Sequence, residues 1–340
     1  MTVDPVLTQI VRDVLASPEA AVPSTTGLPP LWTTVCELGW PQVGVDESTG
    51  GAGGTVADLA EIVRLVAAHP VVVPLVEAAV ATWAAAEAGL ALGEPTLCVP
   101  VLPRTGEALT VTGGRVSGVA TRVPWAREAD RLLVVAGGRL AVVDSTAPGV
   151  TVTPGRNLAE EPRDTVTLRE APVLAEATGP AVEAVRDRAA LLRAAGIVGA
   201  VERVGELTVA HVRTREQFGR PLVAFQAVGH QVAAIACERE QARAALAMAL
   251  AAPQDRRRLA VARVVLGRAA GRVRRLAHQL HGAIGITREH DLHRYAGRLV
   301  AWRDELGTQR EWTRTLGEAV AAGGADGLWQ WLTREGEEHE

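Results

Sequence analysis

The sequence reads as an α+β multidomain chain: an N-terminal helical domain, a small antiparallel β domain and a C-terminal four-helix bundle. Apolar residues recur at helical spacing in the first 90 residues and again beyond residue 178. Between them lie short runs rich in Val, Leu and Thr, separated by Gly, Pro and Asp, which is strand punctuation. The expected domain limits are 1–92, 93–176 and 177–340.

In the first block Val6, Ile10, Val11 and Val14 share one helical face, and segments 56–68 and 74–89 resume the pattern. The glycine-rich loop 46–54 interrupts it. A phosphate cradle would need a strand before that loop and a Lys-Ser/Thr pair after it; neither is present, so a turn between helices is the favoured reading. The middle block offers strands at 96–102, 109–111, 115–117, 131–136, 139–143, 150–152 and 165–168. The pairs Gly113-Gly114 and Gly137-Gly138 are placed to make hairpin turns. In the last block a helix runs from Val182 to Arg213, and three more are expected at 226–252, 256–280 and 304–322. Pro253 and Gly282 punctuate them. Long helices with short connections make an antiparallel bundle. The acidic tail 335–340 reads as frayed.

Composition narrows the function. With 48% hydrophobic and 22% charged residues, the chain is of ordinary globular type. The net charge of −4 argues against a nucleic-acid binder, and Arg256, Arg257 and Arg258 read as a solvated helix start. All 35 basic residues are arginine. The three cysteines are scattered in no metal-binding spacing, which suits a reducing cytoplasm. No apolar run reaches the roughly 18 residues of a membrane span, and the first residues lack the pattern of a signal peptide.

Two segments carry chemistry. The first is Arg215-Glu-Gln-Phe-Gly-Arg-Pro-Leu222 with Phe225-Gln226; the second is Gln279-Leu-His-Gly-Ala-Ile-Gly-Ile-Thr287 with Glu289-His-Asp-Leu292. Together they resemble the acyl-CoA dehydrogenase family, whose patterns are R-x-x-F-G-x-P then F-Q, and later Q-x-x-G-G-x-G. The stretch from Leu31 to Trp40 and the segment from Gly118 to Val134 add matches, so the resemblance spans nearly the whole chain. The residue chemistry agrees with a dinucleotide flavin. Arg215 is a planar cation suited to a pyrophosphate, against the plainer reading of a surface ion pair with Glu216. Gln226 and Gln279 offer amide donors and acceptors, and Gly282 and Gly285 permit close backbone approach. The resemblance thus implies FAD as cofactor, with Arg215, Gln217, Phe218, Gln226, Gln279, Gly282, Ala283 and Gly285 as its contacts.

The family oxidises the α–β bond of an acyl-CoA thioester with a glutamate base and the flavin as hydride acceptor. By the resemblance the base should fall at Leu306, which cannot take a proton; Glu305 is one residue away, about 100° around a helix. The alternative family position for the base falls at Ala189 or Ala190, with Asp187 nearby but unmatched. The T-E-P…G-S-D segment that meets the flavin ring is missing, because Val101-Leu-Pro-Arg104 runs directly to Gly106. Where members carry an aromatic-x-Thr, this chain has Arg122 and Pro124, and proline has no N–H to give. In the family the flavin lies at a dimer interface, ring in one subunit and the Arg and Gln motifs reaching over from the other. A chain that keeps the second set and lacks the first is expected to complete the site of a full-length acyl-CoA dehydrogenase partner. It resembles the shorter subunit of actinobacterial α2β2 enzymes of steroid breakdown, with acyl-CoA held mostly by the partner and an electron-transfer flavoprotein as acceptor. A self-sufficient enzyme using Glu305 or Asp187, and a non-catalytic acyl-CoA or protein-binding module, are the competing readings.

The remaining signals have plainer readings. His278 with His281 and His290 with His293 are spaced i, i+3, but no H-E-x-x-H accompanies them and no metal site is expected. His211 stands where family members often carry Tyr, with a packing role. Trp329 and Trp331 would point about 200° apart on a helix and cannot form one stacking platform.

Overall fold

The computed structural model describes residues 5–22, 27–93 and 97–333, with the side chains of 325–333 outside that description. The expectations for Trp329, Trp331 and the acidic tail therefore fall outside the described side chains and residues. Four helices come first: α1 (Pro5–Leu15), α2 (Leu31–Glu37), α3 (Val56–Ala67) and α4 (Leu75–Glu87). Thr55 caps α3 in a capping box, its hydroxyl accepting from the Asp58 N–H while Asp58 accepts from the Thr55 N–H at 2.8 Å. The alanine-rich α4 is buried on nearly every side, because it lies between the long helix Val182–Thr214 and the strand Cys98–Val101.

The strands are β1 (Cys98–Val101), β2 (Leu109–Thr112), β3 (Arg115–Pro124), β4 (Arg131–Ala136), β5 (Arg139–Asp144), β6 (Val150–Thr153) and β7 (Arg163–Thr178). They join in the order β1-β4-β5-β7-β3-β2, with β6 on β7. The pairing is antiparallel except between β1 and β4, which are parallel, a departure from the all-antiparallel expectation. Both glycine pairs are the hairpin turns: Gly113 and Gly114 have φ of 58° and 69°, Gly137 and Gly138 of 56° and 76°. Two successive positive φ values match the right-handed twist of the flanking strands. β7 is far longer than residues 165–168. Its first half pairs with β3 and β6, and after a bend its second half pairs with β5.

The last block holds α5 (Val182–Thr214), α6 (Gln226–Ala251) and α7 (Arg256–His281), packed on one another, then α8 (Leu292–Arg303) and α9 (Gln309–Thr333). A two-residue hairpin, β8 (Glu216–Gln217) with β9 (Arg220–Pro221), lies between α5 and α6. α8 is a correction to the expected three helices after α5. Leu292, Tyr295, Leu299 and Trp302 bury one face of it against α5 and α7. Its Arg298, 2% exposed, donates to the carbonyls of Ala67, His69 and Pro70 at 2.8, 2.6 and 2.7 Å. Those groups lie at and just beyond the end of α3, where carbonyls lack helical partners. The final helix begins at Gln309 rather than at 304, because Leu306 and Gly307 adopt φ of 60° and 123°. No helix among the described residues is long and apolar enough to cross a membrane.

The close approach of α3 and α5 rests on Gly199, where an added Cβ would sit 2.0 Å from the Arg64 carbonyl oxygen. Gly199→Ala is expected to cost on the order of 1–3 kcal/mol or more in urea denaturation. Gly317→Ala, on α9 with open space around it, is expected to leave stability unchanged or raise it by up to about 1 kcal/mol. Equal effects would contradict the α3–α5 packing.

Candidate functional site

The two sequence motifs meet at one end of the bundle. α5 and α7 run in the same direction, with α6 returning between them, so the C-termini of α5 and α7 and the N-terminus of α6 share that end. Contact is direct: the His211 ring, on the last turn of α5, stacks on His281, the last residue of α7, with centroids 4.3 Å apart. Arg215 follows four residues after His211, and Gln279 precedes His281 by two. Arg215 is exposed and forms no ion pair among the described residues; the surface pair with Glu216 is absent. Gln217, Gln226, Gln279, Gly282 and Ala283 are likewise exposed, and only Gly285 is buried. Phe218 sits at the tip of the β8–β9 hairpin at φ 52°, 90% exposed, with Ile286 73% exposed in the second motif's loop. The Arg220 guanidinium lies 4.1 Å from the centre of the Phe225 ring, a cation–π contact. A phenylalanine held almost fully in solvent on a strained turn is unusual for an isolated surface.

The second candidate region is a cavity of about 280 Å³ between α4, β1, β3, α5 and the turn joining α8 to α9. Arg104, Arg122, Pro124, Ala189, Glu305 and Leu306 are among its lining residues. The connection from β1 to β2 spans only 102–108, so no long loop from the sheet covers it. Arg122 stands at φ 57° where the β3–β7 register shifts. Asp187 does not line the cavity; it faces Arg256 at 3.5 Å.

Glu305 belongs to a buried ion network. Its Oε1 accepts from Arg163 Nε at 2.5 Å, and its Oε2 lies 3.1 Å from Arg193 Nε. Arg193 also donates to Glu77 at 2.5 Å, and Arg163 to Glu161 at 2.9 Å. Trp302 Nε1 donates to Glu161 at 2.9 Å. Arg263 holds the backbone of the same turn, donating to the carbonyl of Glu305 at 2.7 Å and to those of Trp302 and Arg303. Burial by itself would raise the Glu305 pKa, but Arg163, Arg193 and Arg263 outweigh it and hold the carboxyl down to about 2. Burial pushes Arg263 down to about 10 in spite of Glu305. This network escapes sequence reading, because its members are spread from Glu77 to Glu305 and each looks locally like any surface charge.

The chain thus joins a helical domain, a β domain and a helical bundle that carries an exposed Arg/Gln motif face. A sequence profile for the acyl-CoA dehydrogenase C-terminal domain matches residues 182–309. The acyl-CoA dehydrogenase IpdE2 of Mycolicibacterium smegmatis is 33% identical over 310 residues, covering 88% of this chain and 92% of that protein. The acyl-CoA dehydrogenase FadE34 of Mycobacterium tuberculosis is also 33% identical, over 86% of this chain, but the match spans only 42% of its own length. Among solved structures, the Tcur3481-Tcur3483 steroid ACAD G363A variant superposes with a TM-score of 0.79 at 28% identity, covering 93% of each chain. The ChsE4-ChsE5 complex from Mycobacterium tuberculosis gives 0.79 at 22% identity, covering 95% of this chain and 99% of that one, a likeness of fold. The chain belongs to the acyl-CoA dehydrogenase family, FAD flavoproteins that oxidise CH–CH bonds.

The carboxylate of Glu305 is depressed below its ordinary 4.5. It therefore stabilises the fold fully above about pH 4.5, and that contribution is lost as pH falls toward about 2. Glu305→Gln is expected to lose on the order of 3 kcal/mol at pH 7 in urea denaturation, as for one member of a buried ion pair. The same variant should show a flatter loss of stability with acid over that window. Unchanged stability at pH 7 would contradict the network's role.

Proposed function

We propose that this chain is a subunit of a hetero-oligomeric acyl-CoA dehydrogenase, one that lends flavin contacts to a full-length partner subunit and carries no base of its own. The observation that carries the reading is the state of Glu305. A base that removes an α proton needs a pKa near the working pH and a free lone pair. Glu305 is held near 2, with both oxygens facing arginines. Leu306, on the cavity wall beside it, has no proton-accepting group. Ala189, also on the wall, offers none either. The self-sufficient reading through Glu305 or Asp187 therefore lacks support.

The two halves of a flavin site fare differently on this chain. Around the cavity, Arg122 and Pro124 stand where a ring-binding segment would be needed, the β1–β2 connection is short, and the turn at Leu306 is pinned by Arg263. These residues do not fit a flavin ring. At the bundle end, Arg215, Gln279 and the Gly282–Gly285 turn are exposed and fit the outer part of the dinucleotide: a guanidinium for the pyrophosphate, an amide for a ribose or base edge, and backbone that can come close. The exposed Phe218 and Ile286 beside them suit a surface covered by another subunit. When bound, FAD supplies the electron sink for removing two hydrogens across a Cα–Cβ bond. The acyl-CoA would lie mostly in the partner. The steroid ACAD among the superposed structures supports a steroid side-chain thioester as the acyl group, and an electron-transfer flavoprotein is the proposed acceptor. A cytoplasmic enzyme fits this reading.

The test is the visible flavin spectrum of the chain purified alone and co-expressed with a full-length acyl-CoA dehydrogenase subunit. The chain alone should be colourless and the co-purified assembly yellow. Arg215→Ala in the assembly should cut flavin content or affinity at least about tenfold, as expected for a lost charge-assisted contact worth roughly 1.5–3 kcal/mol. Glu305→Gln should leave flavin content unchanged. A yellow, active assembly of this chain alone would refute the reading.

A further inference from the structure

We propose that His211, His281 and His290 form a binding site for a divalent transition-metal ion of the zinc class. They come from three elements: His211 from the end of α5, His281 from the end of α7, and His290 from the loop before α8. His281 stacks on His211, and His290 stands edge-on to both, with centroids 4.7 Å from His281 and 6.1 Å from His211. One ligand nitrogen from each histidine lies within 4.8 Å of the other two. The i, i+3 pairs in the sequence are not the cluster. His278 bonds back to the Arg274 carbonyl and His293 to the His290 carbonyl.

The central histidine is set up as a ligand. His281 is 6% exposed, and its Nδ1 is 2.8 Å from the Ala277 carbonyl oxygen, so Nδ1 carries the proton and donates. That bond fixes the tautomer and leaves the Nε2 lone pair, which is buried with no hydrogen-bond partner. A buried acceptor left unsatisfied is costly and asks for a partner. A backbone carbonyl on one imidazole nitrogen and a metal on the other is the usual outer-shell arrangement of metal-bound histidine.

The donor set favours a cation over an anion: with Nδ1 of His281 committed to the Ala277 carbonyl, its buried Nε2 offers a lone pair and no proton. An all-imidazole set suits zinc, copper or nickel rather than magnesium or calcium. Three protein ligands with a fourth position for water is a common zinc arrangement. Metal–nitrogen bonds of about 2.0–2.1 Å put tetrahedral nitrogens roughly 3.4 Å apart, so nitrogens now within 4.8 Å of one another must close by up to about 1.4 Å, with the stacked His211 and His281 rings turning so that their in-plane lone pairs converge. His290 makes the larger adjustment, since its Nδ1 now accepts from the Leu292 N–H at 3.1 Å. A bound ion would tie the ends of α5 and α7 together and fix Arg215 relative to Gln279.

The experiment uses the full chain without an affinity tag, stripped with chelator, and titrated with Zn2+ against a chromophoric competitor. Co2+ serves as a spectroscopic probe and Mg2+ as a control. The expected result is one Zn2+ per chain, a raised Tm on binding, visible ligand-field bands from Co2+, and no effect of Mg2+. His211→Tyr, which keeps an aromatic ring in the stack, and His290→Asn should each weaken Zn2+ at least about tenfold and abolish the Co2+ bands. His278→Gln should bind as the parent does. If Zn2+ binds with the same affinity to the parent and to His290→Asn, or if the parent takes up no stoichiometric metal, the site does not exist. Either variant alone suffices should the other fail to fold. The outcome is independent of whether a flavin-bearing partner is found.

Discussion

The structure turns on one buried charge cluster. Glu305 sits between α8 and α9, Arg163 comes from β7, Arg193 from α5, Arg263 from α7 and Glu77 from α4. These five residues belong to every layer of the fold, so one electrostatic arrangement links the N-terminal helices, the sheet and the bundle. Such a cluster gains little net stability from its pairing, because each ion gives up its hydration, but losing one member leaves a buried charge uncompensated. It therefore acts as a specification: the domains dock in the one geometry that satisfies all the charges. Trp302 extends it, donating to Glu161 and lying 5.0 Å from the Arg193 guanidinium.

That arrangement also bears on the chemistry. Glu305, a carboxylate on the cavity wall that in a proton-abstracting site would need to be half-poised, is paired with Arg163 and Arg193 instead. The cavity wall beside it presents Leu306 and Ala189. At the far end of the bundle the Arg215 and Gln279 loops face outward with few partners of their own. Charge pairing is concentrated at the cavity, and recognition groups exposed to solvent are concentrated at the bundle end. In our proposal this asymmetry is what distinguishes a supporting subunit from a self-sufficient one.

Much of this was legible in the sequence where the signal is local. The Gly113-Gly114 and Gly137-Gly138 turns followed from their dipeptides, and β4 from its unbroken apolar run. The second half of β7 was hidden because residues 169–178 mix Arg, Glu, Ala and a proline, the composition of an edge rather than a core strand. α8 carries a clear helical period at Leu292, Tyr295, Leu299 and Trp302, but it begins within the motif loop, where the polar Glu289-His-Asp291 stretch masks its start. The start of α9 was misplaced because nothing local announces that Leu306 adopts a left-handed conformation. The charge cluster and the His211–His281–His290 group were out of reach for a different reason. Their members are separated by up to hundreds of positions, and only the tertiary fold brings them together. His211, read as a packing residue, does pack, but it packs on two other imidazoles.

The most direct test of a donated flavin site is to count flavins. Native mass spectrometry of the assembly of this chain with a full-length acyl-CoA dehydrogenase subunit reports chains and FAD together. One FAD for each pair of unlike chains is the expected result. One FAD for every chain would mean that the cavity lined by Arg122, Pro124 and Leu306 holds a flavin after all, and would contradict the division of labour proposed for this subunit.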